Sequence, residues 1–473
     1  MAGYDIVLLV SCDTLRFDAI ASHPAKHWPK RYRATERLNT PHLDDLAARG
    51  AHFLEARSAA PYTSASHGTI FSGRWPLETG LHEYLNGDLA ARTLFHAAKD
   101  LGYRTAFKTD FPFVLGDYLG FTKAVDDYVV EGEFPVLPLL SGSDPVFMFY
   151  HFADVHMPYG YSSYDDSVES LDAQVAAMEA AFDLTAPPQV DRFVETFLDG
   201  ARLDQLLRYK AVIEALYLAG DYDKLFDLYL AGINRFDAGH FQRFLDEVFE
   251  RTKGKRVLIV LFGDHGEDYS AESYGHYNSV TEGALQVPLI LFGDDIAPNR
   301  IAEPVRTVDI APTVIELIGG DLPNLSGHSL VPLMRGESQP PAPAYAQTYT
   351  ANSTDLRRVQ NRLLERKSGK IDVPHHLTCE CIYDGPWKLV KRHLSYVRSA
   401  EDTELVVNPD EELHLTRRGP DGLYEPADDV GATARLAEML SAYNRRANLS
   451  ERTEKPKLDE AMRRQMQALG YRI

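Results

Sequence analysis

Cysteine is scarce. The chain has three, Cys12, Cys379 and Cys381, too few and too unevenly spaced for a disulfide framework, and a reducing compartment is the inference. The close pair Cys379-Glu380-Cys381 has one intervening residue where a zinc or redox motif has two, so it reads as a strand or turn position. Long apolar runs are missing as well: no stretch reaches about 18 consecutive apolar residues. Ile6–Val10 is too short to span a bilayer and has no basic segment before it, so it reads as a buried strand and not a signal peptide. The expectation is a soluble, cytoplasmic protein. Positive charge is in deficit too. Lys and Arg number 49 against 69 Asp and Glu, a formal net charge of −20, which argues against nucleic acid or an anionic membrane as partner. An acidic exterior still permits a metal-centred site for an anion, because a bound cation dominates its own surroundings.

What is present is an ordinary globular composition, 44% hydrophobic and 25% charged, over 473 residues, more than one hydrophobic core usually serves. Ile6–Val10, Val146–Tyr150 and Arg256–Phe262 are continuous apolar runs of the kind covered on both faces of a parallel sheet, with further strands expected at Tyr103–Phe107 and Val287–Phe292. Helices are expected from Thr40, between Leu89 and Gly102, and over Thr307–Ile318, where Pro312 is tolerated in the first turn. Between 162 and 250 the pattern turns helical, at Leu171–Phe182, Val190–Leu198, Leu203–Leu218 and Tyr222–Phe249. Its 162–235 part reads as an insertion, either a lid or specificity wall or a plain structural layer. The Pro-rich stretch from Ser338 to Pro343 reads as a linker, giving a catalytic unit at 1–337 and a smaller α+β unit at 338–473. In the latter, strands are expected near Ala344–Thr350 and Cys379–Val390 and a helix near Thr433–Asn448. Oligomeric state is left open, a homo-oligomer included.

The chemistry concentrates at strand ends, where ligands bind in open α/β sheets. Asp13 follows the first strand; His151, Asp154 and His156 follow Val146–Tyr150; Gly263-Asp264-His265-Gly266 follows Phe262, with His276 a short loop later. Two histidines and an aspartate within six residues of a strand end are hard to explain by packing, which points to a site role for His156. Pro61–Gly73 packs hydroxyls and a histidine into a turn that runs into an apolar segment. Thr63 and Ser64 there fit two readings: a plain helix cap, or a nucleophile at the positive end of a helix. Asp13, Asp264, His265 and Thr63 converging at one sheet edge would hold a divalent cation, and mixed oxygen and nitrogen ligands suit Zn²⁺ or Mn²⁺ better than Ca²⁺ or Mg²⁺.

The chain resembles the sulfatase family within the alkaline phosphatase superfamily. The matching segments, in family order, include Val-Ser-Cys-Asp-Thr-Leu-Arg-Phe-Asp (10–18), Thr-Pro-His-Leu-Asp-Asp-Leu-Ala-Ala-Arg-Gly (40–50), Phe-Ser-Gly-Arg-Trp-Pro (71–76), His-Met-Pro-Tyr (156–159), Gly-Asp-His-Gly-Glu (263–267) and Gly-His-Ser-Leu-Val-Pro-Leu (327–333). The resemblance implies an α/β fold: a mixed, mostly parallel, alkaline-phosphatase-like sheet flanked by helices, with a smaller C-terminal domain. It also implies one divalent metal on Asp13, Asp264, His265 and the nucleophile, with His156 and His276 against the substrate. Lys108 stands near the place of a family lysine. A second metal would need Asp154, His156 and His276 as ligands.

Departures from the family pattern set the expected activity. Family members carry Cys or Ser in a Cys-x-Pro-x-Arg signature whose first residue becomes formylglycine; here Thr63 holds that place, Ala65 that of the Pro and His67 that of the Arg. Threonine cannot become formylglycine, because its Cβ bears a methyl group. Cys12-Asp13 stands where paired aspartates are common, and His265 where Asn is, which again favours Zn²⁺ or Mn²⁺. The expectation is a hydrolase of small anionic phosphate or phosphonate esters with Thr63 as nucleophile, His156 and His276 handling charge and protons, and His67, Lys108 and Asp154 near the substrate. The alternatives are a phosphoryl transferase to an alcohol, a sulfate-ester hydrolase without formylglycine, and a binding protein that has lost catalysis.

Overall fold

The computed structural model of the chain describes residues 3–82, 87–112, 114–130, 132–161, 167–182, 203–270, 273–276, 279–349, 377–398 and 403–446. The expected Val190–Leu198 helix lies outside them.

The strands of the first part are β1 (Ile6–Cys12), β2 (Ala51–Arg57), β3 (Arg104–Lys108), β4 (Asp127–Val129), β5 (Val146–Phe152), β6 (Val257–Gly263), β7 (Asp268–Ser270), β8 (Ser273–Gly275), β9 (Gln286–Gly293), β10 (Asn299–Ile301) and β11 (Val305–Arg306). Apart from the β7–β8 hairpin they form one nine-stranded sheet in the order β10-β2-β9-β6-β1-β5-β3-β4, with β11 also on β2. Its pairings are parallel except those of β9 with β2 and β6, so β9 alone runs against the rest. This is the mixed, mostly parallel sheet expected.

β1 lies between β5 and β6 and is buried throughout, which is why its run is apolar without interruption. Its side chains alternate between two helical layers. Ile6, Leu8, Val10 and Cys12 share a core with Leu225, Phe226, Tyr229 and Phe244 of the Tyr222–Phe236 and Gln242–Arg251 helices. Val7 and Leu9 face the other way, into a core with Phe71, Leu94, Phe95 and Val314 from the Thr63–Ser72, Leu94–Asp100 and Ile310–Ile318 helices. Each layer buries one face of the sheet and sends its connections to the sheet edge where β1, β5 and β6 end.

The helical stretch expected as an insertion comprises Val168–Phe182, Leu203–Leu218 and Tyr222–Phe236, the last continuing through a π turn at Asp237–Phe241 into Gln242–Arg251. Asp237 accepts hydrogen bonds from the backbone N–H groups of His42 and Leu43 (3.1 and 2.8 Å), so this layer supplies the N-terminal cap of the Pro41–Arg49 helix, whose own Thr40 makes none.

The C-terminal part is a five-stranded antiparallel sheet in chain order, β12 (Ala344–Tyr349), β13 (Leu377–Asp384), β14 (Trp387–Arg398), β15 (Thr403–Arg418) and β16 (Tyr424–Pro426). The Val430–Arg446 helix packs Leu436 and Leu440 against Ile382, Leu389 and Leu415. The single strand expected over Cys379–Val390 is two, turning at Gly385, whose φ is +56°. Cys379 and Cys381 are buried in a small core with Val280, Leu285 and Tyr383, in keeping with a strand position. Among the described residues no helix is long and apolar enough to cross a membrane.

Candidate active site

Asp13 leaves β1 with its amide bonded to the carbonyl of Phe152, which extends the β1–β5 pairing by one residue. Thr14 then turns with φ of +60°, a conformation that costs a β-branched residue energy and is found where neighbouring structure over-determines it. The turn aims the Thr14 N–H at Asp264 Oδ1 (3.2 Å), which also accepts the N–H of His265 (2.9 Å). One oxygen of Asp264 is therefore spent on backbone, and Oδ2 is left without a hydrogen-bond partner, as is Asp13 Oδ1, although both are buried. His265 Nε2 lies 3.4 Å from each of these two oxygens, while its Nδ1 faces the carbonyl of Gly266 at 3.1 Å. A carbonyl only accepts, so the ring proton sits on Nδ1 and the Nε2 lone pair is directed into the cluster. Gly263 and Gly266 permit close approach here: a Cβ would meet the carbonyl oxygen of Leu15 at 2.4 Å and that of Gly283 at 2.0 Å.

Asp13, Asp264 and His265 offer one ligand atom each, all within 4.8 Å of one another. Burial disfavours charge on both carboxylates. At Asp13 the hydrogen bond from His151 and the neighbouring histidines prevail and hold it below the usual carboxylate range; at Asp264 burial and the charge on Asp13 push it well above. Two facing buried carboxylates with unpaired oxygens and an inward imidazole lone pair fit a divalent cation, which would remove the conflict between them. Among the described residues no second such set converges.

The Thr63–Ser72 helix opens at this edge with Tyr62 as its N-cap and no side-chain capping bond. Ser66 and Ser58 draw it in, both donating to the carbonyl oxygen of Asp264 (2.6 and 2.5 Å). Thr63 donates to Asp13 Oδ2 at 3.3 Å, and its hydroxyl lies 3.5 Å from His265 Nε2.

His276 lies beside His265, ring centroids 4.6 Å apart, and His156 packs edge-on against His276 at 4.9 Å. Burial lowers both pKa values, that of His276 to about 4. His276 Nδ1 is 3.2 Å from Glu267 Oε1, whose pKa burial raises to about 8, and the Tyr159 hydroxyl donates to Oε2 of the same carboxyl at 3.2 Å. The structure thus brings Asp13, Thr63, Asp264, His265, His156 and His276 together. Asp154 is turned elsewhere, with His240 Nδ1 at 3.0 and 3.2 Å from its two oxygens, on a pocket lined also by Gly160 and Arg235. Lys108 ends β3 buried, bonded to Asp110 and lying over the Tyr150 ring. His67 is fully buried, with Nδ1 2.8 Å from the Thr63 carbonyl oxygen and Nε2 2.9 Å from Ser11 Oγ.

Ser11 joins this site from inside β1, where it reads as a strand residue, and His151, expected just past the strand that ends at Tyr150, lies inside β5. His151 Nε2 is 3.2 Å from Asp13 Oδ2. Alternation is the signal for both: Ser11 continues the Val7, Leu9 face and His151 the Phe147, Phe149 face, both toward the Thr63–Ser72 helix.

The sulfatase family model matches residues 126–320. Choline-sulfatase of Rhizobium meliloti (strain 1021) is 25% identical over 383 residues, 71% of this chain and 72% of that one. Among solved structures, a protein in complex with its substrate D-glucosamine-2-N,6-O-disulfate superposes with a TM-score of 0.60 at 16% identity, covering 96% of this chain and all of that one (100%). The phosphonate monoester hydrolase of Silicibacter pomeroyi superposes with a TM-score of 0.55 at 15% identity, over 93% and 94% of the two chains. The comparisons agree in what this chain is similar to: the sulfatase family over residues 126–320, and the fold of a sulfated-sugar-binding protein and of a phosphonate monoester hydrolase over most of its length.

Proposed function

We propose that this protein is a metal-dependent hydrolase of phosphate or phosphonate esters with Thr63 as its nucleophile. The placement of Thr63 carries the reading: its hydroxyl stands in the first turn of a buried helix, makes no cap, and lies 3.3 Å from Asp13 Oδ2 and 3.5 Å from His265 Nε2. Formylglycine cannot form there, which favours phosphorus as the electrophile.

Asp13 Oδ1, Asp264 Oδ2, His265 Nε2 and Thr63 Oγ1 are the atoms that would hold a divalent cation. When bound, such a cation supplies positive charge that favours the ionised hydroxyl and offsets charge on a phosphoryl oxygen. Asp13 Oδ2 accepts the Thr63 hydrogen and so orients the oxygen lone pairs. The Thr63 proton passes to Asp13 Oδ2 as Thr63 Oγ1 bonds to phosphorus and the bond to the leaving alcohol breaks; Glu267, whose raised pKa keeps it protonated near neutral pH, is the proton source for that alcohol through His276, with His156 beside it. The oxygen of a water then bonds to phosphorus, its proton returning through His276 to Glu267, as the Thr63–phosphorus bond breaks and Thr63 Oγ1 recovers its proton from Asp13; the N-terminal N–H groups of the helix favour the anion held beside it.

The test compares wild type, Thr63→Ala and Thr63→Ser, each with its metal content measured, on nitrophenyl esters of phosphate, phosphate diester, phosphonate and sulfate. Thr63→Ala is expected to lose about a thousandfold or more in kcat, as removal of a nucleophile does, and Thr63→Ser to keep most of it. Equal activity of Thr63→Ala and wild type overturns the nucleophile. Turnover of the sulfate ester alone would favour sulfate-ester hydrolysis without formylglycine, and phosphorylated product from an added alcohol would favour transfer.

A further inference from the structure

We infer that His67, with Ser11, is a clamp that positions the nucleophile and the Asp264 carboxylate, and that it does not contact the substrate. The inference rests on the assignment of Thr63 as nucleophile. His67 holds the place where the family signature has an arginine, yet its ring is enclosed. The rings of Phe149, Phe71, His151 and Phe262 surround it at centroid distances of 5.4, 5.5, 5.7 and 6.0 Å, and it has no exposed surface.

Both ring nitrogens are used inward. The Thr63 carbonyl, 2.8 Å from Nδ1, can only accept, so the proton is on Nδ1; Nε2, 2.9 Å from Ser11 Oγ, then accepts the serine hydroxyl. The same Nδ1–H faces Asp264 Oδ2 at 3.5 Å. One rigid ring therefore joins three segments: β1 two residues before Asp13, the first turn of the nucleophile's helix, and the carboxylate at the end of β6. An arginine, with donors only, could not accept the Ser11 hydroxyl. Because Thr63 Oγ1 works only at a set distance from Asp13 and His265, a small shift of the helix costs rate with little effect on substrate binding.

The full-length chain as His67→Ala, His67→Asn, Ser11→Ala and the Ser11→Ala/His67→Ala double variant tests this with two readouts. The first is affinity for Mn²⁺ or Zn²⁺ by competition with a chelator, without substrate; the second is kcat and KM on whichever nitrophenyl ester the wild type turns over. His67→Ala is expected to weaken cation affinity and lower kcat by about tenfold or more, with KM within about twofold. Ser11→Ala should act in the same direction less strongly, the double variant no worse than His67→Ala, and His67→Asn, which keeps a donor for the Thr63 carbonyl, better than His67→Ala. A raised KM at unchanged kcat would place His67 against the substrate and overturn the inference, as would unchanged kcat and cation affinity. If the wild type turns over no ester, the proposed function fails while the cation readout still decides the clamp. Thermal melts check folding, and the small Ser11→Ala truncation carries the test should His67→Ala not fold.

Discussion

At the residue that faces the cluster from two sides, Asp13, the structure sets repulsion against function. Its Oδ2 is satisfied by Thr63 (3.3 Å) and His151 (3.2 Å), while Oδ1 has no hydrogen-bond partner and faces His265 with the Asp264 carboxylate alongside. Charge on both carboxylates without a cation between them destabilises the fold; a bound cation reverses this by mass action on the native state. Asp13→Asn should separate the two effects. With chelator present, the variant is expected to melt somewhat lower than wild type, because His151 and the neighbouring histidines favour the Asp13 carboxylate and Asp264 is the group that gives up its charge. With Mn²⁺ or Zn²⁺ added, wild type should gain several degrees and the variant little or nothing. Scanning calorimetry with and without cation is the measurement, and an equal gain in both proteins would remove Asp13 from the ligand set.

At the level of elements, the layer expected as a lid or wall is tied into the site's backbone. Tyr229 of the Tyr222–Phe236 helix is fully buried; its hydroxyl donates to the Thr14 carbonyl (2.7 Å) and accepts the Arg16 N–H (3.0 Å), so it holds the positive-φ turn that presents Asp13. Tyr229→Phe keeps the ring and leaves that N–H without its partner, at a cost of about 1–3 kcal/mol. Urea unfolding in chelator should show that loss, with a fall in kcat; an unchanged midpoint would indicate a detachable lid. Tyr229 could not be singled out beforehand, since a tyrosine in a helical repeat of apolar residues reads as core. β1, β5 and β6 could, because burial on both faces writes an unbroken apolar run, and Asp13, Asp264 and His265 stood out because they interrupt such runs at their ends. β2 was hidden by His52, Glu55 and Arg57, which are buried but polar, Arg57 being paired with Glu55 and with Tyr424 of the second sheet. β15 was hidden by its acidic Asp410-Glu-Glu412 stretch, a strand whose register comes from β14 and not from an apolar pattern.

Across the whole molecule, the second sheet grips the first through charge placed in an apolar contact. Lys388 of β14 is buried and donates to the Val280 carbonyl and to Glu282 Oε1, both at 2.6 Å; Glu55 of β2 pairs with Arg57 and, at 2.5 Å, with Arg418 of β15. Lys388 lies over the ring of Tyr383, which shares a small core with Val280, Leu285, Cys379 and Cys381. The Glu282–Leu285 helix that it holds also reaches the site, for the Ala284 carbonyl accepts the Gly266 N–H and that of Leu285 the Ser58 N–H, each at 2.8 Å. Burial would lower the Lys388 pKa, but Glu282 outweighs it and the pKa is raised; that of Glu282 is lowered by Lys388 against the same burial. Removing one partner of such a pair strands the other charge and costs about 3–5 kcal/mol, whereas replacing both by neutral groups of similar volume is often close to neutral. Lys388→Met should therefore destabilise the protein and, by loosening the segment bonded to Gly266 and Ser58, lower kcat. Adding Glu282→Gln should recover most of both losses. A double-mutant cycle in urea midpoint and kcat measures this coupling. Should the double variant stay as impaired as Lys388→Met, the bond from Lys388 to the Val280 carbonyl, and not the ion pair, would be what joins the second sheet to the site.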